Sequence, residues 1–528
     1  MSKSRQAIVI GAGHNGLVSA NLLADAGWDV LVLERTDRLG GAVFSDRSLH
    51  PDFVTDRYSA FYPLGAASPV LSALDLPAHG LRWSHAPAVL AHVLPDDRAA
   101  LLSRDLDTTA ASLDEFAAGD GKAWAQLLEQ FRNIEQPLLR ALFTPFPPLR
   151  SGVALARRFG TADLLRFVRF AMQPVRRAGD ELFGGEGARL LLAGNALHTD
   201  LPPETAGSAI YGWLLAMLGQ TVGFPVPAGG SSALIDALVH RLEKAGGSVR
   251  TSASVRRIHV SGGAVVAVEL DSGERIPTHT VLADVSAPAL YGDMLDPAVL
   301  PNRLHEDLQR FQWDSSTMKI DWVLSGPIPW TNAHARRAGT VHLGVDMNGL
   351  THYSAALATR ELPRRPFIVL GQMTTSDPSR SPAGTESAWA YTHVPIGSVR
   401  TPDEIHEHAE LVEDTIEQHA PGFRRAVIER RLLSPADLEA SEVNLVGGAV
   451  NCGTANIHQQ LIFRPTPGLG RSETPIDGLY LAGAAAHPGG GVHGAPGANA
   501  ARAAIRRAGP TGLAGRRLID FAFARIYR

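Results

Sequence analysis

At 528 residues, 45% of them hydrophobic, the chain is too long for a single core and reads as two or three domains of an ordinary globular protein. Its 49 Lys and Arg against 53 Asp and Glu leave a net charge of -4, which argues against a nucleic-acid partner. The one cysteine, Cys452, excludes an internal disulfide framework, a C-x-x-C redox pair and a cysteine-rich metal site, so redox chemistry would have to come from a bound cofactor.

Met1-Ser2-Lys3-Ser4-Arg5 leads directly into an apolar run, leaving no room for a signal or transit peptide, and the expectation is a cytoplasmic chain. Ala7 to Ile10 reads as a buried strand, followed by Gly11-Ala12-Gly13-His14-Asn15-Gly16 and a helix from Leu17. In this arrangement Gly11 makes the tight turn, Gly13 lets backbone approach a pyrophosphate, and Gly16 lets the helix sit close to the sheet. A second strand, Asp29 to Leu33, ends at Glu34, about twenty residues on, where a carboxylate can bind a ribose hydroxyl pair. Arg35 follows it, and then the pair Gly40-Gly41. A second glycine pair after the ribose carboxylate resembles the fingerprint of FAD enzymes of the glutathione-reductase and amine-oxidase type.

From about Leu71 to Gln220 the pattern is mostly helical, as in Phe116, Trp124, Leu127, Leu128, Phe131, Ile134 and Leu138. This is read as the first part of an inserted substrate domain. Within it, Arg157 to Arg177 holds six arginines among Phe and Leu, with Asp163 as the one acid. A basic amphipathic helix of this kind can lie in a membrane interface. Gly160 and Pro174 interrupt it and favour a solvated domain surface instead. The charge-free stretch Thr205 to Ile235 is broken by Gly and Pro, so it suits a buried cavity wall rather than a bilayer span.

Gly229-Gly230 opens a helix through Leu242, and Ser254 to Ile258, Val265 to Leu270 and Ile276 to Ala283 read as strands of a second visit to the cofactor domain. Ser315 to Leu324 alternates like a strand and carries Lys319. On the helix Thr401 to His419, His406, Glu407 and His408 do not make a metal motif and read as a solvated face. Gly478 to Gly494 is a further strand and glycine turn, then a helix to Arg506. It has no acid for a ribose, so it should complete the one dinucleotide site. Backbone N–H groups at the start of its helix can face the flavin edge that gains charge on reduction. His487 and His493 could chelate a metal, but the glycines between them are better explained by close approach to a flat ring.

Gly11-x-Gly13-His14-Asn15-Gly16-Leu17 and Leu479-Tyr480-Leu481-x-Gly483-x-x-x-His487-Pro488-Gly489-Gly490-Gly491-Val492 together resemble the phytoene-desaturase-like FAD oxidoreductases. Within that family they are most similar to the branch containing pyridine nucleotide-disulfide oxidoreductase domain-containing protein 2, as are His198-Thr199-Asp200 and Gly207 to Pro227. The resemblance implies an α/β fold, a Rossmann-like FAD-binding domain with an inserted α+β substrate domain. The cofactor domain would be built from 1–70, 225–290 and 470–510, the substrate domain from 71–224 and 291–469, with a helical tail at 511–528.

It also implies non-covalent FAD held by Gly11, Gly13, Gly16, Glu34, Arg35, Gly40, Gly41, Val255, Gly483, Pro488, Gly489, Gly490, Gly491 and Val492, and no metal. Lys319 falls where related flavoenzymes carry a lysine bonded through water to the flavin; otherwise it is a solvent-facing strand lysine. Lys319 and His487 are the catalytic candidates. The implied reaction is dehydrogenation or desaturation of an apolar, isoprenoid or lipid-like molecule, with oxygen, a quinone or another acceptor taking the electrons. The alternatives are an amine or amino-acid oxidase and an FAD-binding interaction protein with little turnover.

Overall fold

The computed structural model describes residues 5–528. It opens with strand β1 (Gln6–Ile10), helix α1 (His14–Asp25) and strand β2 (Asp29–Leu33). β1 and β2 pair in parallel from Gln6 opposite Asp29 to Ile10 opposite Leu33. Ala7 to Ile10 are all buried, as expected for a parallel strand covered on both faces. Gly11 turns the chain with φ +93°, a conformation that side chains disfavour.

The first excursion is not purely helical, because β3 (Ala88–Val93) and β4 (Ala99–Leu102) lie inside it. Every residue of both strands is buried, so neither shows the alternation that marks a half-exposed strand. Leu71, Leu74, Leu76 and Leu81 pack in one core with Val9, Leu17, Val30 and Val32 of the opening unit. Helices α2 (Asp120–Leu142), α3 (Leu149–Met172), α4 (Glu186–Leu197) and α5 (Ser208–Thr221) follow. α3 has no buried residue and is broken at Gly160, while Arg176 and Arg177 fall on the next helix, Val175–Leu182.

Helix α6 (Ser232–Lys244) leads back to β5 (Ser248–Arg250), which pairs with β2. β6 (Val255–Ser261), β7 (Ala264–Leu270) and β8 (Arg275–Pro277) make a separate antiparallel sheet, and β9 (Val281–Ala283) rejoins β1. The strand expected over Ile276 to Ala283 is therefore two strands in two sheets. Pro277, with no N–H for a ladder, closes the first.

The second excursion supplies β10 (Ser316–Leu324), β11 (Ala338–Leu343), β12 (Ile368–Gln372), β13 (Glu386–Val394), α7 (Pro402–His419) and β14 (Val427–Leu433). With β3 and β4 these strands form one seven-stranded sheet in the order β14-β10-β13-β12-β11-β3-β4, so both excursions contribute to a single sheet. On β10, Met318, Ile320, Trp322 and Leu324 share a core with Ala409, Val412 and Ile416 of α7. By alternation Thr317 and Lys319 face the other way, where Val369 and Trp389 of neighbouring strands pack with helices α2, α4 and α5. On α7, His408 is buried rather than solvated, and no metal-holding group of His, Cys, Asp or Glu occurs among the described residues.

β15 (Leu479–Leu481) completes a five-stranded parallel sheet in the order β15-β9-β1-β2-β5. Helix α8 (Ala495–Ala508) crosses α1 so closely that a side chain at Gly497 would collide with the Asn15 carbonyl. The last helix, α9 (Gly512–Ile526), is packed down: its Phe523, and Tyr527 just past it, join a core with Leu300 and Leu304. Among the described residues, no helix is long and apolar enough to cross a membrane.

Candidate active site

One continuous cavity of about 860 Å³ runs from the α1 turn to the seven-stranded sheet. Its dinucleotide end is built from short-range structure. Glu34, at the end of β2, accepts hydrogen bonds from Ala12 N–H on one oxygen and from Thr36 N–H and Oγ1 on the other, each at 2.9 Å. The carboxylate is thereby fixed, and its remaining lone pairs are free for a diol. Gly13 bridges Gly40, whose N–H donates to the Ala12 carbonyl at 3.0 Å, tying the second glycine pair to the first turn.

Gly13 must be glycine because a Cβ would lie 2.7 Å from Asp284 Oδ2. That oxygen accepts the Gly16 N–H at 2.8 Å. Burial pushes the Asp284 carboxyl up to about 7, the Gly16 N–H opposes this, and the nearby Glu442 and Glu34 carboxylates add to it. Glu442 is itself raised, chiefly by burial. Neither acid was singled out in the sequence. Both reach the site from segments far from the glycine turn.

The closing loop is held from beneath by two buried charges. Asp314 accepts N–H bonds from Val450, Asn451 and Gly453 at 2.8 to 3.0 Å. Among the described residues Arg464 has no carboxylate partner and donates instead to the carbonyls of Asn451, Cys452, Thr454 and Ala484. Gly490, Gly491 and Val492 then enter the cavity wall just before α8, and His493 Nδ1 accepts the Ala495 N–H at 3.2 Å. His493 is thus a buried residue that caps the start of α8.

Of the residues expected to hold a cofactor, Gly11, Gly13, Glu34, Arg35, Gly41, Val255, Gly490, Gly491 and Val492 line the cavity. Gly16, Gly40, Gly483, Pro488 and Gly489 do not line it; Gly16 and Gly40 hold the turn, and a Cβ on Gly483 would lie 2.9 Å from Asp284 Oδ1. Lys319 lines it too, but as a buried group and not as a strand lysine facing solvent. Its Nζ donates to the Asp56 carbonyl at 2.9 Å and to the Asp321 carboxylate. Burial pulls the Lys319 ammonium down, and Asp321 acts against that. His487 does not line the cavity. It is buried, its ring centroid 6.3 Å from that of Phe146, both ring nitrogens lack a hydrogen bond among the described residues, and burial pulls its value down to about 4. The closing motif suggests it by position, but its ring is packed outside the cavity lining.

The far end of the cavity comes from residues whose roles the sequence did not reveal. Thr317, Thr340, Val369, Trp389 and Tyr391 rise from the sheet, and His198 and Leu215 come down from the helical layer. Trp389 and Tyr391 are stacked, 6.0 Å apart with 12° between planes. The alternation Trp389, Tyr391, His393 in β13 is the signal that could have marked this wall.

FAD fits the dinucleotide end on two observations. The glycine cradle leaves backbone exposed where side chains would collide, and three buried polar atoms in its wall, His14 Nε2, Asn15 Oδ1 and Asn451 Nδ2, have no hydrogen-bond partner among the described residues. Comparison with known proteins agrees. The model of the flavin containing amine oxidoreductase family matches residues 16–505. Pyridine nucleotide-disulfide oxidoreductase domain-containing protein 2 of Rattus norvegicus is 30% identical, over 95% of this chain and 93% of its own. A lycopene-forming phytoene desaturase of Pantoea ananas is 25% identical over 94% of this chain and 98% of its own. An oxidoreductase structure from Methanosarcina mazei superposes with TM-score 0.63 at 16% identity, covering 95% of this chain and all of that one, which supports the fold. The chain therefore belongs to the flavin containing amine oxidoreductase family, in its phytoene-desaturase-like group, and its cofactor is FAD.

Proposed function

We propose that the protein is an FAD-dependent dehydrogenase or desaturase that takes hydride from a C–H bond of an apolar, lipid-like or isoprenoid substrate. The observation that carries this reading is the single cavity, which joins the glycine cradle to a wall of Phe61, Leu215, Phe224, Val369, Trp389 and Tyr391. Bound FAD supplies a two-electron acceptor, to be reoxidised by oxygen, a quinone or another acceptor. The protein's part is to exclude water with the apolar wall and to hold a proton at Lys319 Nζ, which Asp321 and the Asp56 carbonyl fix in place.

The test is the absorbance spectrum of the purified protein, followed by anaerobic mixing with amines, carotenoid precursors and other lipids. Bleaching of the oxidised-flavin band by lipids supports the reading. Bleaching by amines alone replaces it with an amine oxidase, a second reading that the stacked Trp389 and Tyr391 favour as a frame for an amine. A flavin that nothing bleaches leaves an interaction protein.

A peripheral membrane contact through α3 is part of the same reading. The support is apolar more than basic: Leu149 and Leu165 are 73% and 67% exposed. The arginines are mostly engaged, Arg166 with Asp163, Arg169 and Arg177 with Glu181, and Arg176 with Glu204.

A further inference from the structure

The sheet presents one row of side chains whose far end has no task in the reading above. Across β10, β13, β12, β11 and β3 the aligned residues are Lys319, Tyr391, Val369, His342 and His92. In the next row Thr340 is opposite Gly371, which is opposite Trp389. Three interstrand spacings place Lys319 roughly 14 Å from His342. Between them the floor is apolar and aromatic. At the β11 end it becomes polar again.

Three observations define that end. His198, just past α4, brings its Nε2 to 2.7 Å from His342 Nε2, and its Nδ1 has no hydrogen-bond partner among the described residues while its ring lines the cavity. His342 lies over its register partner His92, with ring centroids 5.6 Å apart, and His92 Nε2–H donates to the Val345 carbonyl at 3.1 Å. Thr340, two residues before His342 and so on the same face, also lines the cavity, yet it is fully buried and its Oγ1 has no partner among the described residues. An unmade hydrogen bond at a buried hydroxyl is costly, and a hydrocarbon ligand would leave it unmade.

We propose that the substrate is elongated, with an apolar body lying over Tyr391, Trp389 and Val369 and a neutral oxygen function, a hydroxyl or carbonyl, held at its far end by Thr340 Oγ1 and His198 Nδ1. This deepens the oxidoreductase reading and rests on it for calling the ligand a substrate. The oxygen function is neutral because Arg35 and Lys319 are the cations in the cavity wall, one at the dinucleotide end and the other across the sheet. Burial holds His198 near 4, so the imidazole offers no charge to a carboxylate. His342, also uncharged through burial, positions the His198 ring.

The test compares 1-octanol, octane and octanoate, each added to the FAD-loaded protein at the same fraction of its aqueous solubility and read by quenching of tryptophan fluorescence. Wild type should bind octanol about tenfold better than octane, with octanoate no better than octane. Thr340→Val, which replaces an unpaired buried hydroxyl by a methyl of like size and so spares the fold, should erase most of that preference and leave octane unchanged. His198→Phe should do the same. Equal binding of octanol and octane to wild type, tighter binding of octanoate, or a preference that survives Thr340→Val would overturn the proposal. The readout does not depend on flavin reduction, so a flavin that no lipid bleaches would defeat the lipid-dehydrogenase reading and leave this result standing.

Discussion

Gly194 of α4 lies against the His342 ring, so close that a Cβ there would collide with Nδ1. The helix can cover the histidine row only because that position carries no side chain.

Gly194→Ala should therefore destabilise the protein despite the gain in helix propensity. Alanine in a helix is worth up to about 1 kcal/mol over glycine, whereas forcing a methyl into a packed core costs roughly 1–3 kcal/mol. We expect a net loss on the order of 1 kcal/mol, seen as a lower urea midpoint. A raised midpoint would mean that the helix can lift away from His342 at little cost.

Asp321 serves two cations, Lys319 and Arg431, the latter bonded at 2.7 and 3.0 Å. Lys319→Met leaves Asp321 paired with Arg431, while Asp321→Asn strands a fully buried lysine. Removing one partner of a buried pair costs about 3–5 kcal/mol when the other is left alone. Asp321→Asn should fall in that range and Lys319→Met below it, an order that denaturant unfolding of the two variants can check.

Asp284 predicts a pH effect on the protein without its cofactor. Its folded value, about 7, lies above the ordinary 3.8. Between those limits the folded state binds more protons than the unfolded one, so stability falls as pH rises through the window, by at most ~4 kcal/mol. Asp284→Asn keeps an acceptor for the Gly16 N–H and removes the titration. Its unfolding midpoint should gain on wild type steadily from pH 4 to 7; parallel curves would show that the carboxyl titrates normally.

Arg464→Lys should loosen the closing loop. A planar guanidinium can reach the carbonyls of Asn451, Cys452, Thr454 and Ala484 together, and an ammonium cannot match that fork. The expected outcome is at least tenfold weaker retention of FAD, measured as the flavin-to-protein ratio after gel filtration, with the fold intact by circular dichroism. An unchanged ratio would detach the loop from cofactor binding.

Exposed Leu149 and Leu165 on α3 predict flotation with anionic vesicles at low salt. The double replacement Leu149→Ser and Leu165→Ser should abolish it without lowering thermal stability, since α3 buries none of its residues. Absence of wild-type flotation would end the membrane reading.

The dinucleotide end was legible because its physics is local. Gly11, Gly13, Gly16 and Glu34 lie within one strand-turn-helix-strand unit, where backbone conformation and helix packing constrain residue type directly. Lys319 was legible from the alternation around it, though its burial was not. β3 and β4 escaped notice because a short strand buried on both faces has no period to read, and Arg464 because an arginine satisfied by carbonyls needs no acidic partner in the sequence.

By itself, then, the sequence determined the cofactor class and the two glycine turns, both properties of contiguous segments. Which strands neighbour which was decided only by the tertiary structure. His198 meets His342 across 144 residues, and Lys319 shares a row with His342 through two intervening strands, because sheet register aligns side chains from segments whose order in the chain says nothing of their order in space.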